Sequence, residues 1–433
     1  MFVTHFPRKI SGGAFRLRSG PGVLLALLLF ASGAEADRSD PPVLSLEACL
    51  AMAEAHHPEL RGAEAEERME RARLRQIAAR KGVLVDATAT ESHPARGEAS
   101  HGLGIAAGVK IYDAGRDHRD EEAQELAVEG ARWKRINLNQ TLRAAVKRAY
   151  IDLLLAEATE RQAQATEKAF EDHLATARGF YEAGTKSRID VTKAEVDRGN
   201  AHTALVKARS ARDLAEATLV NAMGISSMPP FKTVDLSPDL SPVPPEAELW
   251  AQALERRGDL RAARLQERAG RLKTEAAARG YAPTARLQGS WGYEGARFPL
   301  EENGRVSLTV SWPVADGGAT RGATEESRAR EDSLAAASEV LRQRIALEIR
   351  RALRSLEEAE AQRENQELVV RQAEENLALA TGRYEAGVGS ALEVTDAVLA
   401  LNDARLASYR IRYGAAAARA DLEQATGGKE SIP

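Results

Sequence analysis

Cysteine is almost absent from this chain of 433 residues. Cys49 stands alone, so no intramolecular disulfide can form and no cysteine-built metal cluster is available. Aromatic residues are scarce as well: they make up 5% of a chain that is 43% hydrophobic, so its apolar content is alanine and aliphatic rather than large rings. That supply is thin for a multilayer core and well matched to long helices that bury a narrow Ala/Leu stripe. A basic excess is also missing. With 60 Lys+Arg against 64 Asp+Glu, nothing provides the cationic surplus needed to neutralise a nucleic-acid backbone, which excludes nucleic acid as a general partner. Finally, after residue 36 no apolar run reaches the ~20 residues of a membrane-spanning helix. If that part of the chain enters a bilayer, it must do so as β-strands with all backbone groups paired.

What is present begins with an address. Arg8, Lys9, Arg16 and Arg18 precede the apolar run from Val23 to Ala31, and Ala34-Glu35-Ala36 follows. This is the order of a secretory signal, so residues 1–36 are expected to be a signal peptide cleaved after Ala36 and the chain to be exported. Cys49 lies beyond the cut in no lipobox-like sequence, so no lipid anchor is expected there.

An internal repeat sets the architecture. Tyr181-Glu182-Ala183-Gly184 recurs as Tyr384-Glu385-Ala386-Gly387, an offset of 203. The same offset carries Ser187 onto Ser390, Val191-Thr192 onto Val394-Thr395, Asp113 and Gly115 onto Asp316 and Gly318, and Gly224 onto Gly427. A single ungapped register over so long a stretch marks a tandem duplication. The expected division is a first repeat at 37–224, a proline-rich linker or equatorial region at 225–245, a second repeat at 246–427 and a tail at 428–433. Each repeat reads as a helical stretch of about 35 residues (44–80 and 246–279), two short alternating segments, a very long helix, a tight turn and a last helix of about 35 residues. The long helices, about 115–182 and 318–385, contain no proline and at 1.5 Å per residue measure on the order of 100 Å. Their buried stripes, Leu138, Leu142, Val146, Ala149, Leu153, Ala156 and Leu341, Ile345, Ile349, Ala352, Leu356, Ala359, have coiled-coil spacing.

The alternating segments suit a membrane. Leu103, Ile105, Ala107, Val109 and Ile111 alternate with Gly102, Gly104, Ala106, Gly108 and Lys110. Val306, Leu308, Val310, Trp312 and Val314 alternate with Arg305, Ser307, Thr309, Ser311 and Pro313, while 83–90 and 285–293 are their partners. Each segment is about ten residues, the length of a tilted strand crossing hydrocarbon, and the connections fall at about 91–101 and 294–304. Trp291, Tyr293 and Trp312 fit an interfacial aromatic belt. A soluble β-subdomain packed on the helices is the competing reading. Two strands per repeat give four per chain, too few to close a barrel, and an open edge in lipid leaves backbone groups unpaired. Three copies give twelve strands and a closed ring, so the expected form is a homotrimer.

Catalytic and metal chemistry find little support. His56 and His57 are adjacent on a helix and point about 100° apart, with no second His/Cys cluster to accompany them, so no metal site is expected. His118, His173 and His202 read as isolated surface or seam residues. No nucleophile elbow, phosphate loop or catalytic carboxylate pair occurs in a confirming context, so neither an enzyme nor a cofactor is expected.

The order of elements, the Tyr-Glu-Ala-Gly-x-x-Ser-x-x-x-Val-Thr-x-Ala signature at the helix tips and the Asp-x-Gly pairs after the second strand of each repeat resemble the TolC-like outer-membrane efflux protein family. The resemblance covers nearly all of the chain beyond residue 36. It implies a mainly α fold with a small β part: a trimeric channel-tunnel in which a twelve-stranded barrel in outer-membrane lipid continues into a periplasmic α-barrel. The implied partners are a periplasmic adaptor and an inner-membrane pump. It further implies that the tip residues Ala183, Gly184, Thr185, Ser187, Ala386, Gly387, Val388 and Ser390 meet the adaptor. Glu393 and Asp396 take the positions of acidic rings at the narrow end, and Tyr384 and Asp190 those of a clasp between tip helices. Where well-studied members carry an arginine two residues after the tip glycine, this chain has Gly389, so the clasp departs from the family pattern, with Lys186 or Arg188 available to contribute. Two alternatives stay open: the duct of a type I polypeptide secretion system, and a non-channel periplasmic coiled-coil scaffold or adaptor.

Overall fold

The computed structural model describes residues 42–95, 98–237 and 241–428, so the expected signal peptide at 1–36 and the tail beyond residue 428 lie outside the described residues. The first repeat comprises β1 (Val43–Leu44), α1 (Leu46–His56), α2 (Pro58–Ala79), β2 (Leu84–Ser92), β3 (Ser100–Tyr112), α3 (Arg116–Glu182) and α4 (Arg188–Ala222). The linker carries β4 (Lys232–Thr233), and the second repeat comprises α5 (Glu246–Arg256), α6 (Gly258–Ala278), β5 (Thr284–Gly295), β6 (Glu301–Ser311), α7 (Ala319–Glu385) and α8 (Ala391–Ala425). The duplication is kept to the residue in the long helices: α3 and α7 have 67 residues each, α4 and α8 have 35 each. α3 lies between α4 and α8, and α8 lies between α3 and α7, so α4 and α7 form the two flanks of the helical wall.

The expected stripes are the seams of this wall. Leu142, Val146, Ala149 and Leu153 are buried in α3, as are Ile345, Ile349, Ala352, Leu356 and Ala359 in α7, while Leu138, Ala156 and Leu341 at the margins are half-buried. Alanine keeps the helices close, and only a few large side chains fill each layer. Cys49 belongs to one such layer with Leu50, Leu154, Leu219, Met223 and Tyr413, and burial pushes its thiol up to about 11, so it is packing rather than a reactive group.

The helical stretch that opens each repeat was expected to be continuous and is instead broken in two. In the first repeat the cause is local: Pro58 excludes helical backbone at His57, which sits at φ −62°, ψ 124° and accepts the Glu59 N–H on its Nδ1 at 3.2 Å. In the second repeat no proline is involved. The break at Arg257 comes from packing, because a Cβ on Gly258 would lie 2.6 Å from the Trp133 carbonyl oxygen, so α6 starts pressed directly on α3. The buried Arg257 guanidinium emerging from the break pairs with Asp259 at 2.7 Å and with Glu348 of α7.

The linker is strapped to the wall. Lys232 and Thr233 pair in parallel with Val43 and Leu44. The Tyr150 hydroxyl accepts the Val234 N–H at 2.8 Å and lies 2.7 Å from the Val234 carbonyl oxygen and 3.0 Å from that of Leu44. Burial pushes this hydroxyl up to about 12, which keeps it a donor. Arg412 and Tyr413 of α8 hold the Asp235 carboxylate at 2.8 and 3.1 Å.

The four long strands form one antiparallel sheet in the order β2-β3-β5-β6. Residues directly opposite each other share a face, so the register separates two surfaces. One carries Val85, Ala87, Leu103, Ile105, Val109, Leu287, Trp291, Val306, Leu308 and Val310; the other carries Asp86, Thr88, Lys110, Arg286, Gln288, Arg305, Ser307 and Thr309. The alternation holds from Leu103 to Val109 and then meets a β-bulge, since Lys110 pairs with Arg286 but Tyr112 with Ala285, which leaves Ile111 as the extra residue. The ladders also run further than expected, to Ser92 and Ser100 and to Gly295 and Glu301, which shortens the connections to 93–99 and 296–300.

Candidate functional site

At the corner between sheet and wall, each Asp-x-Gly pair turns a strand into a long helix. Asp113 accepts the N–H groups of Gly115 and Asp117, both at 2.9 Å, and Asp316 those of Gly318 at 3.0 Å and Thr320 at 2.8 Å. Gly115 and Gly318 take the left-handed conformation at φ +77° and +93° as the N-caps of α3 and α7. The side chain and backbone of Thr320, with Tyr281 and Gly318, hold the Asp316 carboxyl down at about 2.

The opposite ends of the long helices are the tips, and the two are built alike. The Gly184 N–H donates to the Tyr181 carbonyl at 2.9 Å and the Thr185 N–H to that of Phe180 at 2.9 Å; Gly387 and Val388 repeat this with Tyr384 and Arg383 at 3.0 and 3.1 Å. This is a Schellman closure, and the glycines at φ +74° and +80° adopt it without the Cβ penalty. A Cβ on either glycine meets nothing within 4 Å, so both turns are open to the outside. Ser187 and Ser390 then start the return helices. Asp190 accepts the Ser187 N–H at 3.3 Å, and Ser390 Oγ accepts the Glu393 N–H at 3.2 Å. Val388 is 70% exposed, an apolar side chain turned largely to the outside at the second tip.

The four expected gate residues are all at this end, but they take different parts. Glu393 accepts a hydrogen bond from Arg383 at 3.3 Å, and this guanidinium holds its carboxyl below the usual range against the opposing effect of desolvation, with the Ser390 cap adding to the lowering. Asp396 is exposed one turn further on, on the same face of α8. Tyr384 is 1% exposed, and its ring packs on His173 at 5.0 Å and Phe180 at 5.5 Å between centroids. No hydrogen bond joins Tyr384 to Asp190, whose carboxylate is used in its own helix cap. The tyrosine hydroxyl is raised by burial and then by the nearby Asp190 charge.

Lys186 crosses between the tips instead. Its ammonium donates to the Gly389 carbonyl oxygen at 3.0 Å and lies 5.3 Å from the centre of the Tyr384 ring. Gly389 is itself a packing requirement, since a Cβ there would stand 2.9 Å from the Tyr384 nitrogen, so the arginine of the family pattern has no room on this backbone. A second bridge, missed in the sequence, runs from Thr395 of α8 to Asp197 of α4 at 2.8 Å, with Lys193 on the same carboxylate at 3.2 Å. The recurrence of Val-Thr at 191–192 and 394–395 was its only trace, because Thr192 in the other copy merely bonds its own helix at Arg188.

On the sheet, Trp291 and Tyr293 pack edge to face at 5.5 Å toward the loop end, while Trp312 donates its indole N–H to the Tyr281 carbonyl at 3.1 Å at the helix end. From Ala285, which pairs with Tyr112, to Tyr293 is eight residues, or about 26 Å along the strand at 3.3 Å each, which at a tilt of about 40° spans about 20 Å of the ~25 Å height of a lipid-facing band. No helix among the described residues is long and apolar enough to cross a membrane.

The family model described as outer membrane efflux protein matches residues 49–225 and 249–428. The outer membrane protein OprJ of Pseudomonas aeruginosa is 31% identical over 173 residues, which are 39% of this chain and only 35% of the length of OprJ. The solved outer-membrane channel OprN superposes with a TM-score of 0.81 at 20% identity, covering 88% of this chain and 90% of that one. VceC, an outer membrane protein of Vibrio cholerae, does so with 0.79 at 20%, covering 88% and 96%. At these identities the structural likeness carries the fold.

Proposed function

The chain belongs to the outer membrane efflux protein family and its place is the outer membrane, and on that premise we propose that three copies close into one passive duct that serves a tripartite efflux system. The carrying observation is the sheet: four strands, apolar on one face and polar on the other, with β2 and β6 left as free edges. Unpaired edge groups in hydrocarbon cost several kcal/mol each, which makes a lone chain an unstable occupant of the bilayer. Three sheets joined β6 to β2 give a twelve-stranded barrel with Val306, Leu308 and Val310 toward lipid and Arg305, Ser307 and Thr309 toward water. The aromatics Trp291, Tyr293 and Trp312 then anchor its rims. Apolar side chains left exposed on the two flanks support the same assembly: Ile189, Val196, Val206 and Leu214 on α4, and Val340, Leu347 and Leu379 on α7.

In this reading the helical walls join into a tunnel on the order of 100 Å long, and the open Gly184 and Gly387 turns meet a periplasmic adaptor, which couples the duct to an inner-membrane pump. Val388 offers the adaptor an apolar contact. Glu393 and Asp396, repeated by threefold symmetry, line the narrow end with carboxylates that favour cations. The test is purification in detergent followed by planar-bilayer recording. A heat-sensitive trimer that conducts supports the duct; a lone subunit under all conditions, with no current, refutes it.

A further inference from the structure

Two buried polar atoms near the tips have no hydrogen-bonding partner within the protein: Nε2 of His173 and the hydroxyl of Tyr384. They belong to the same contact, the 5.0 Å ring packing that joins α3 of the first repeat to the end of α7 in the second. His173 is 6% exposed. A nitrogen left unpaired at such a seam has a cost, and a neutral imidazole bears it more easily than a cation. We propose that His173 is the proton sensor of a latch that holds the two tips of each chain together, closed when the imidazole is neutral and released when it is protonated. The latch deepens the duct reading and rests on it.

The groups around the imidazole explain the release. From α4 it faces Asp190, Lys193 and Asp197; from α7, Tyr384. Lys186 from the first turn covers the far contact on Tyr384, and from α8 Thr395 completes the cluster through Asp197. Both carboxylates already have work: Asp197 holds Lys193 and Thr395, and Asp190 caps α4 at Ser187. An imidazolium therefore has two outcomes. It draws Asp197 away from Thr395 and breaks the bridge between α4 and α8, or it leaves the seam for water and uncovers Tyr384. Either loosens the grip on Tyr384 and Gly389.

The sign follows from the burial. Burial, and then Lys193, lower the His173 pKa from its ordinary 6.5 in the latched state, against the opposing pull of Asp197 and Asp190. The loosened, hydrated state therefore binds the proton more tightly. Latch stability is complete above about pH 6.5 and falls as the pH drops below it, by up to about tenfold in the closed-to-open ratio per pH unit and per chain until the latched pKa is passed.

The experiment is hydrogen–deuterium exchange on peptides covering 183–190 and 386–393 of the purified full chain in detergent, at pH 7.5 and 5.5, corrected for intrinsic exchange. The same preparation is recorded in planar bilayers. Wild type should show tips exchanging several-fold faster at pH 5.5. His173→Phe and His173→Gln should remove that difference, whereas His202→Gln, at an exposed histidine bonded to Glu167, should keep it. The heat-sensitive oligomer checks that each variant folds. Tips that exchange equally at both pH values overturn the latch, as does an acid response that survives both His173 variants. Acid-loosened tips in a preparation that never conducts support the latch and sink the duct instead; a current with pH-insensitive tips does the reverse.

Discussion

Replacing Gly184 and Gly387 together separates what the turns cost from what they touch. Both glycines hold positive φ, +74° and +80°, and both look into open space. Alanine in the left-handed region costs about 1–2 kcal/mol per position, and here no steric contact adds to it. The Gly184→Ala/Gly387→Ala pair should therefore lower the thermal midpoint by a few degrees, leave the oligomer intact and retain most export. Tryptophan at the same two positions pays a similar backbone cost, but under the proposed docking its ring fills the space in front of the turn that the adaptor would occupy. Gly184→Trp/Gly387→Trp should match the alanine pair in stability and lose export, read as sensitivity of a pump-proficient host to the exported compound. Two results refute the reasoning. If the tryptophan pair exports as well as wild type, nothing docks at these turns. If the alanine pair fails as completely as the tryptophan pair, turn geometry alone accounts for the loss.

The register makes a second prediction about faces. Val306→Arg, on the apolar surface of β6 opposite Gly289, should cost about 2–4 kcal/mol of folding in lipid, whereas Ser307→Arg, one residue on and facing the other way, should fold normally. Heat-modifiable gel mobility after refolding into vesicles reads the difference, and equal outcomes would show that the faces are assigned the wrong way round. A third concerns acid. The Asp316 carboxyl is held at about 2 in the folded state against an ordinary 3.8, so its contribution is complete above about pH 4 and is lost as the pH falls through 2. Asp316→Asn should therefore lower the melting temperature at neutral pH and flatten its decline between pH 4 and 2; an unchanged decline would remove the carboxylate from the cap.

Much of the architecture was legible because it is encoded locally. The helices of 67 residues follow from a seam period and the absence of proline, and the sheet faces from strict alternation. The tips follow from glycines where a helix must reverse. What was not legible depends on partners distant in sequence. The break at Arg257 has no proline to announce it; it arises because Gly258 presses on Trp133, more than a hundred residues earlier. The bulge at Ile111 arises where the strand is pulled toward the Asp113 cap, with Lys110 reaching both Asp113 and Asp117. At the tips, Asp190 stands at the position expected for a clasp, but its nearest donors are those of its own helix terminus, and these win. Lys186 takes over because the glycine at 389 exposes a carbonyl oxygen within its reach.

The duplicated tips also show how equal sequences come to unequal environments. Tyr181 and Tyr384 occupy the same place in the repeat, yet Tyr181 is 45% exposed and Tyr384 1%. The difference lies in the order of the wall: α8 is enclosed between α3 and α7, so the second tip packs against the first repeat, while α4 on the flank leaves the first tip uncovered on that side. Neither His173, which packs on Tyr384, nor Asp197, which bridges α4 to α8, has a like residue in the second repeat. The position equivalent to His173 is Asn376, and that equivalent to Asp197 is Ala400. Truncating the two tyrosines therefore tests whether environment or motif sets their worth. Tyr384→Ala removes a buried ring from between His173, Phe180 and Lys186 and should destabilise the tip by about 3–5 kcal/mol. Tyr181→Ala should change stability by no more than about 0.5 kcal/mol, as at other surface positions. Limited proteolysis across the two turns, calibrated against denaturant melting, measures both. Equal losses would mean that the motif builds each tip by itself, and the asymmetric latch would then have no structural basis.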